Sequence, residues 1–464
     1  MRAIGAIAAG LIALTVIPLS IFVDRSGQAE SYRVRDGVLD LSGWKAERDG
    51  RIELDGEWAF YWNRLLMPGQ ADRERADITA PDAFIQVPGQ WNGRTVEGQP
   101  LPAHGFATYR MVLKNVPAAG SYAIKKTNIR FASAVYANGR LLFEDGRVTE
   151  DAEAYRAGNT PQIGFFSSEG GDIEIIVQVA NFDYANSGIP ASLSFGEQSA
   201  MQAAQQAGKS FEFGTFAVLA ALALIFFISY GGSALYRNRD DSLLLLGLIC
   251  LFYAVYNGLV GERVITMFVH GVPFETLFKV KDISSMVCLI VLALYFYRLR
   301  ASFLSRAFAT GFIAVLGGYA VMVALLPIPV YGKIEPLVIL VYVSMILWLL
   351  LRTAVRYVTS GTGERLESFL LYAAVLCITL YCIDMIMFSF NLKDNVRVGQ
   401  AYIVLFSILV LLLAVLRFFA AYRTVHAMKD QLLRLDRIKD DFLSSTSHEL
   451  KTPLNAIVNI ADSL

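Results

Sequence analysis

Hydrophobic and polar positions divide the chain into successive regimes. Residues 3–23 run without a charge behind Arg2. That length fits either a membrane-spanning anchor or a long secretory signal. The small residues Gly27 and Ala29, after Asp24 and Arg25, would suit cleavage, and both readings export the polar block behind this leader. From about 24 to 210 the chain turns polar, with short half-alternating runs such as FATYRMVL, SAVYANGRLLFEDG, DIEIIVQVAN and ASLSFGE. These predict an all-β domain, a sandwich or jelly roll. Asn138-Gly139, between the runs SAVYA and RLLFE, predicts a hairpin with a type I′ turn. A block of this size can bury a core without cross-links.

Beyond Phe213 the pattern changes to seven apolar stretches, at about 213–236, 242–261, 276–297, 307–327, 336–351, 368–390 and 400–416. Each can cross a bilayer as a helix. The third is the weakest, because its uncharged run is only Ile283 to Tyr297, so Lys279, Lys281 and Asp282 must sit near one interface. Arg237, Arg239, Arg298, Arg300, Arg306, Arg352, Arg356, Arg365, Arg417 and Arg423 fall on one side of these crossings. The opposite loops hold few basic residues, such as Arg263, Lys333, Lys393 and Arg397. The arginine-rich side is expected to be cytoplasmic. Seven crossings then put the β domain outside and the C-terminus inside, in agreement with the exporting leader.

Composition sharpens this picture. Hydrophobic residues make up 55% of the 464 positions, too apolar for an ordinary soluble protein of this length. Acidic and basic residues balance at 41 each, and no long basic run points to nucleic acid. Cys250, Cys288, Cys377 and Cys382 all lie in apolar stretches, so the polar block carries no disulfide. No Cys/His spacing suggests a metal. Asp384 falls in the outer half of the sixth stretch, where a carboxylate is costly without a partner. Lys281 or Lys279 at similar depth on the third stretch is the expected partner, and a signalling role is the alternative. His104, His270 and His426 have no partner pattern and read as surface or solvated residues.

After Tyr422 the chain is polar and helical. Val425, Met428, Leu432, Leu435 and Phe442 form a short heptad stripe that slips at Lys439, with Ile438 beside it. The stripe reads as a parallel two-helix contact, or as an amphipathic face packed on something else. The stretch Phe442 to Ile457, FLSSTSHELKTPLNAI, carries the most specific chemistry. On a helix, Thr452 shares a face with His448 four residues before it, and Glu449 can accept a proton from the imidazole. A phosphoryl acceptor needs one ring nitrogen free as nucleophile while the other keeps its proton and is oriented by an acceptor. Pro453 lacks a backbone donor and is expected to bend the helix just past the site.

This segment resembles the H-box of sensor histidine kinases, S-H-E-L-[RK]-T-P-L, which stands here as Ser447, His448, Glu449, Leu450, Lys451, Thr452, Pro453 and Leu454. The preceding RLDRIKDDFLSS is similar to that family's approach helix. An exported β domain followed by seven spans resembles the bacterial seven-transmembrane receptors with diverse intracellular signalling modules. Through LDGEWAFYW, VPGQWN, GFATYR and VYANGRLLFEDG, the outer block is similar to the galactose-binding-like jelly roll found in some of them and in glycoside hydrolases. Trp58, Tyr61, Trp62 and Trp91 read as core aromatics, with a ligand platform as the alternative.

The resemblance implies a multi-domain membrane protein of the bacterial cytoplasmic membrane. Residues 1–23 would be leader or anchor and 24–210 an all-β jelly-roll ectodomain. A seven-helix bundle at 211–420, a signalling helix at 421–441 and the start of a phosphoacceptor domain at 442–464 would come after it. It implies His448 as phosphoacceptor, Glu449 as general base and Thr452 as a residue positioning water during dephosphorylation of the partner. It further implies homodimerisation through the signalling and phosphoacceptor helices, a response regulator as partner, and an extracytoplasmic ligand for which carbohydrate is one candidate class. ATP and Mg²⁺ are expected on a catalytic domain beyond Leu464, and these 464 residues alone are expected not to phosphorylate themselves. The alternative is a non-enzymatic receptor or phosphorelay subunit phosphorylated by a kinase on another chain.

Overall fold

The structure, a computed structural model, describes residues 32–67, 80–117, 120–235, 239–300, 302–393 and 395–461. The leader at 1–23 lies outside the described residues. Two compact units are distinguished, Met1–Ile408 and Leu409–Leu464.

The N-terminal part of the first unit is a β-sandwich. Its principal strands are β1 (Val38–Asp40), β2 (Ile52–Glu53), β3 (Gly56–Trp62), β4 (Ala83–Val87), β5 (Gly105–Val116), β6 (Gly120–Lys126), β7 (Ala132–Ala137), β8 (Arg140–Asp145), β9 (Gln162–Ser168), β10 (Gly171–Asn181) and β11 (Ser194–Glu197). One sheet has the order β8-β7-β10-β5-β3-β4, with β1 joining β5 in parallel to make seven strands. The other has the order β9-β6-β11-β2. Trp58, Phe60, Tyr109, Val135 and Ile175 from the first sheet share one buried cluster with Ile52, Tyr122, Ile124, Phe166 and Phe195 from the second. The inner faces therefore pack on each other, and each such side chain contributes about 1.5–3 kcal/mol by leaving water. Trp58 and Trp91 are fully buried in the main cluster and Trp62 packs against it, so these three build the core, whereas Tyr61 is buried with Ala59 and Leu66 in a separate cluster.

The β7–β8 hairpin turns through Asn138 and Gly139 at φ +45° and +81°, the paired positive angles of a type I′ turn. Gly139→Val is expected to destabilise the domain by about 1–2 kcal/mol, because a β-branched side chain is strained in the left-handed region. A lowered thermal midpoint of the β-sheet signal checks this.

Strand β11 runs straight into helix α1 (Gln198–Leu235). The remaining long helices are α2 (Asp241–Gly258), α3 (Phe274–Leu299), α4 (Arg306–Leu325), α5 (Glu335–Thr359), α6 (Arg365–Ser389) and α7 (Arg397–Ala461). Asp240 caps α2 by accepting from the Ser242 amide at 3.0 Å, and Ser305 caps α4 by accepting from Phe308 at 3.2 Å. Six of the seven are long and apolar enough to cross a membrane, and the exception is α3. Its first three turns hold Glu275, Lys279, Lys281 and Asp282. Large apolar side chains such as Ile228, Leu337 and Leu340 are about two-thirds exposed, a surface suited to lipid rather than water. The four cysteines are free, as their apolar settings predict.

The connections between helices separate into two groups. Asp241 pairs with Arg298 at 2.6 Å, Glu364 pairs with Arg356 at 2.9 Å and lies 3.8 Å from Arg300, and Arg352 donates to the Ser302 carbonyl. These residues belong to the α1–α2, α3–α4 and α5–α6 connections and the adjoining helix ends. The α2–α3 and α6–α7 connections instead meet the β domain, through Lys125–Glu262 and through Asn128 donating to Asn391 at 3.1 Å. The α4–α5 connection faces it as well, with Gly332 beside Tyr184. Both ends of α3 thus engage the same two groups as its apolar neighbours.

In the second unit the helix is continuous to Ala461 and passes through Pro453. Val425, Met428, Leu432, Leu435 and Phe442 are all exposed, as is Ile438.

Candidate functional site

Three places combine polar chemistry with a defined position in the fold. The first is the segment Ser447 to Leu454 on α7. Four residues of α-helix rise about 6 Å and return to the same face, so His448 and Thr452 sit one turn apart on the backbone. The side chains of His448, Glu449 and Thr452 lie outside the described part of the structure. Around them Ser447, Lys451 and Pro453 are exposed, and Leu450, Leu454 and Ile457 continue an exposed apolar stripe at helical spacing. Such a stripe is costly in water and is stabilised wherever it becomes covered.

The second place is Asp384, near the end of α6. The expected partner was Lys281 or Lys279, and the fold forms a different pair. Lys281 lies 2.9 Å from its neighbour Asp282 and Lys279 is 2.9 Å from Glu275 one turn earlier, so both find carboxylates on their own helix. Asp384 is instead ion-paired with Lys393, which folds back from the short α6–α7 connection, and its second oxygen accepts the Gly399 amide at 2.9 Å. Asp384 and Lys393 are both about 95% buried. Local chain connectivity beats a pairing across helices here, because a connection of a few residues holds its lysine within reach of the carboxylate. In the sequence Lys393 counted only as a loop cation.

The third place was not foreseen. Where the β domain meets the α2–α3, α4–α5 and α6–α7 connections, a cavity of about 610 Å³ opens. Its walls include Arg130 and Asp145 from the β domain, Arg263 and His270 from the α2–α3 connection, and Lys281 and Glu335 from α3 and α5. One flank is aromatic: the Phe131 and Phe274 ring centroids are 5.3 Å apart, and Phe274 and Phe278 are 5.6 Å apart. Behind it, fully buried Lys126 is 2.7 Å from Asp145, which also accepts from the Thr160 hydroxyl at 2.9 Å. Burial pulls the Lys126 pKa below its usual value, with Asp145 opposing that shift. Lys126→Met leaves the Asp145 carboxylate buried without its cation, and a loss of about 3–5 kcal/mol is expected. Equilibrium unfolding measures this, and the double variant Lys126→Met/Asp145→Leu should recover much of it. The only sequence signal at this place was the scarcity of basic residues in the loops that hold Arg263 and Lys393.

His104 and His270 are exposed, His270 at the cavity rim, and exposed His426 lies against Tyr422 with ring centroids 4.4 Å apart and the rings tilted by 60°. Among the described residues no group of three or more His, Cys, Asp or Glu could hold a metal ion.

No family model matches the chain, and no curated protein matches it. Among solved structures it is similar to a GH2 β-galacturonidase from Eisenbergiella tayi bound to glycerol, at 18% identity and a TM-score of 0.23, covering 32% of this chain and 24% of that one. It is likewise similar to the β-glucuronidase of Ruminococcus gnavus, at 17% identity and a TM-score of 0.23, covering 31% of this chain and 28% of that one. The chain thus spans about a quarter of the length of these enzymes. At such TM-scores the likeness transfers neither fold nor activity to this chain.

Proposed function

We propose that this chain carries the receptor and phosphoacceptor parts of a two-component sensor histidine kinase of the bacterial cytoplasmic membrane. The observation that carries the reading is the segment Ser447 to Leu454, set on a helix that starts as the last apolar helix of the chain. A lone histidine on a helix would mean little. Glu449 beside it, Thr452 one turn on and Pro453 after that make a phosphoacceptor of it.

In this reading the β-sandwich is an extracytoplasmic jelly roll and α1 to α7 are seven spans. Helix α3 counts as a span despite its charged first turns, because its two ends engage the same connections as its neighbours. The arginines at the α1–α2, α3–α4 and α5–α6 side mark the cytoplasm. The exposed stripe from Val425 to Phe442 is the surface of a homodimeric signalling helix. A ligand outside alters the packing of the helices, and His448 becomes accessible to ATP and Mg²⁺ held by a catalytic domain. One ring nitrogen of His448 would take the γ-phosphoryl group as the β–γ bond of ATP breaks and ADP leaves, while Glu449 holds the proton on the other nitrogen; the N–P bond then breaks as the group passes to an aspartate of a response regulator.

The test is phosphorylation with γ-labelled ATP in the presence of the catalytic domain. Label that survives alkali and is lost in acid marks a phosphohistidine and is the expected result. Label on serine or threonine, or none at all, would sink the reading.

A further inference from the structure

Three cations of the junction cavity stand on one aromatic cluster. Arg130 lies over Tyr184 at 5.0 Å, Arg263 over Phe274 at 5.5 Å, and the Lys281 ammonium over Phe278 at 4.0 Å. The rings themselves are packed, with the Phe131 and Tyr184 centroids 5.0 Å apart. Such stacking fixes the direction of a cation and leaves its hydrogen-bond donors free. Lys281 uses its charge on Asp282. Among the described residues, neither Arg130 nor Arg263 has a carboxylate at ion-pair distance. Of the cavity's other acids, Glu262 is partly committed to Lys125, Asp145 to Lys126 and Glu53 to the Ser194 hydroxyl, and buried Glu212 accepts the Glu262 amide at 2.7 Å. Glu335 faces the same space and offsets part of the field of Lys281 and Arg130, with no ion-pair contact to either. Burial pushes the Arg263 guanidinium down to about 10, against the pull of Asp145. A guanidinium without an ion-pair contact in this setting is stabilised by an incoming anion.

A second observation is independent of charge. Asn159 Oδ1, Ser192 Oγ and Glu262 Oε2 are buried polar atoms without a hydrogen-bond partner, and all three residues line this cavity. Two of these atoms can only accept, so they call for donors, which a bare carboxylate or phosphate lacks and a hydroxyl supplies. The volume lies within the usual range of small-molecule sites, about 300–1,000 Å³.

We propose that the junction cavity binds a small hydroxylated oxyanion, its charged end on Arg130 and Arg263 and its hydroxyls on Asn159, Ser192 and Glu262. The site is built half from the β domain and half from the ends of the helices, so its occupant bridges the two. Binding does not require His448 to be phosphorylated, so this proposal and the kinase reading fail separately.

The test is calorimetric titration of the full chain in zwitterionic-lipid nanodiscs with gluconate, glucose 6-phosphate and glucose. At least one of the two anions is expected to bind, with glucose weaker by about tenfold or more. Arg130→Gln and Arg263→Gln should each weaken the anion by about tenfold or more, while Arg140→Gln, on the exposed hairpin, leaves it unchanged. A preference for gluconate marks a free carboxylate as the occupant, and a preference for glucose 6-phosphate marks a phosphate. Competition by phosphatidylglycerol introduced into the discs assigns the same oxyanion chemistry to a lipid headgroup. Should an arginine variant fail to fold, Asn159→Leu is read in its place, with the same loss expected. The proposal is overturned if neither anion binds, if glucose binds as well as they do, or if folded variants bind the anion like the parent.

Discussion

Replacing His448 with glutamine is expected to remove all transferable label from the chain when a catalytic domain and γ-labelled ATP are supplied. Glutamine keeps the length and polarity of the side chain and has no ring nitrogen to act as nucleophile. The effect is therefore a loss of the reaction rather than a slower one. The neighbours should separate cleanly from it. Glu449→Gln keeps the acceptor but cannot hold the imidazole proton as a carboxylate does, and labelling should slow by about 10²- to 10⁴-fold, the usual scale for a positioned general base. Thr452→Ala should label normally and retain label on the response regulator for longer, since its proposed role is to position water for hydrolysis of the regulator's phosphoaspartate. Helicity at 222 nm, a standard far-ultraviolet helix reading, should be unchanged in all three, because their positions lie within a helix that tolerates each side chain. If label persists in His448→Gln, the phosphoacceptor lies elsewhere and the proposed function fails.

How much the residues disclosed in advance depends on their range of interaction. The β-sandwich was legible because strand alternation and the Asn138-Gly139 turn are local signals, and the structure has that turn with both positive φ angles. Trp58 and Trp91 were legible as core residues from their large aromatic side chains, and both are buried. The apolar helices were legible because a bilayer span needs about 20 apolar residues in a row. The length of α1 was not: its first turns, from Gln198, are polar and lie N-terminal to the apolar stretch. The Asp384 partner was misassigned, because depth along two helices says nothing about which lysine a short connection can fold back. The junction cavity escaped entirely. Arg130, Asn159 and Arg263 are far apart in sequence, and only the docking of the β domain on the helix ends brings them to one space.

The Asp384 latch should give the second large effect. Its carboxylate holds three pieces of chain at once: α6, the α6–α7 connection through Lys393, and the first turn of α7 through the Gly399 amide. Early amides of a helix have no partner within it and carry the positive end of the helix dipole, so a carboxylate there stabilises both. Asn395 serves the same turn by accepting from the Arg397 amide at 3.3 Å. Asp384→Leu would leave the Lys393 ammonium buried without a counter-charge, and a loss of about 3–5 kcal/mol is expected in thermal or denaturant unfolding of the purified protein. Asp384→Asn should cost less, because an amide oxygen still accepts from Gly399, and adding Lys393→Met to Asp384→Leu should recover much of the larger loss. Gly399 tests the geometry rather than the charge. A Cβ at this position would overlap the Asp384 carboxylate oxygen and stand 2.7 Å from the Met385 methyl. Gly399→Ala must therefore move the start of α7 away from α6 or break the carboxylate contact. Unfolding at the parent temperature in both Gly399→Ala and Asp384→Leu would show that the latch holds nothing. If α7 transmits the signal to His448, the same two variants should also change the basal level of labelling, since both alter the anchor of the helix that carries the histidine.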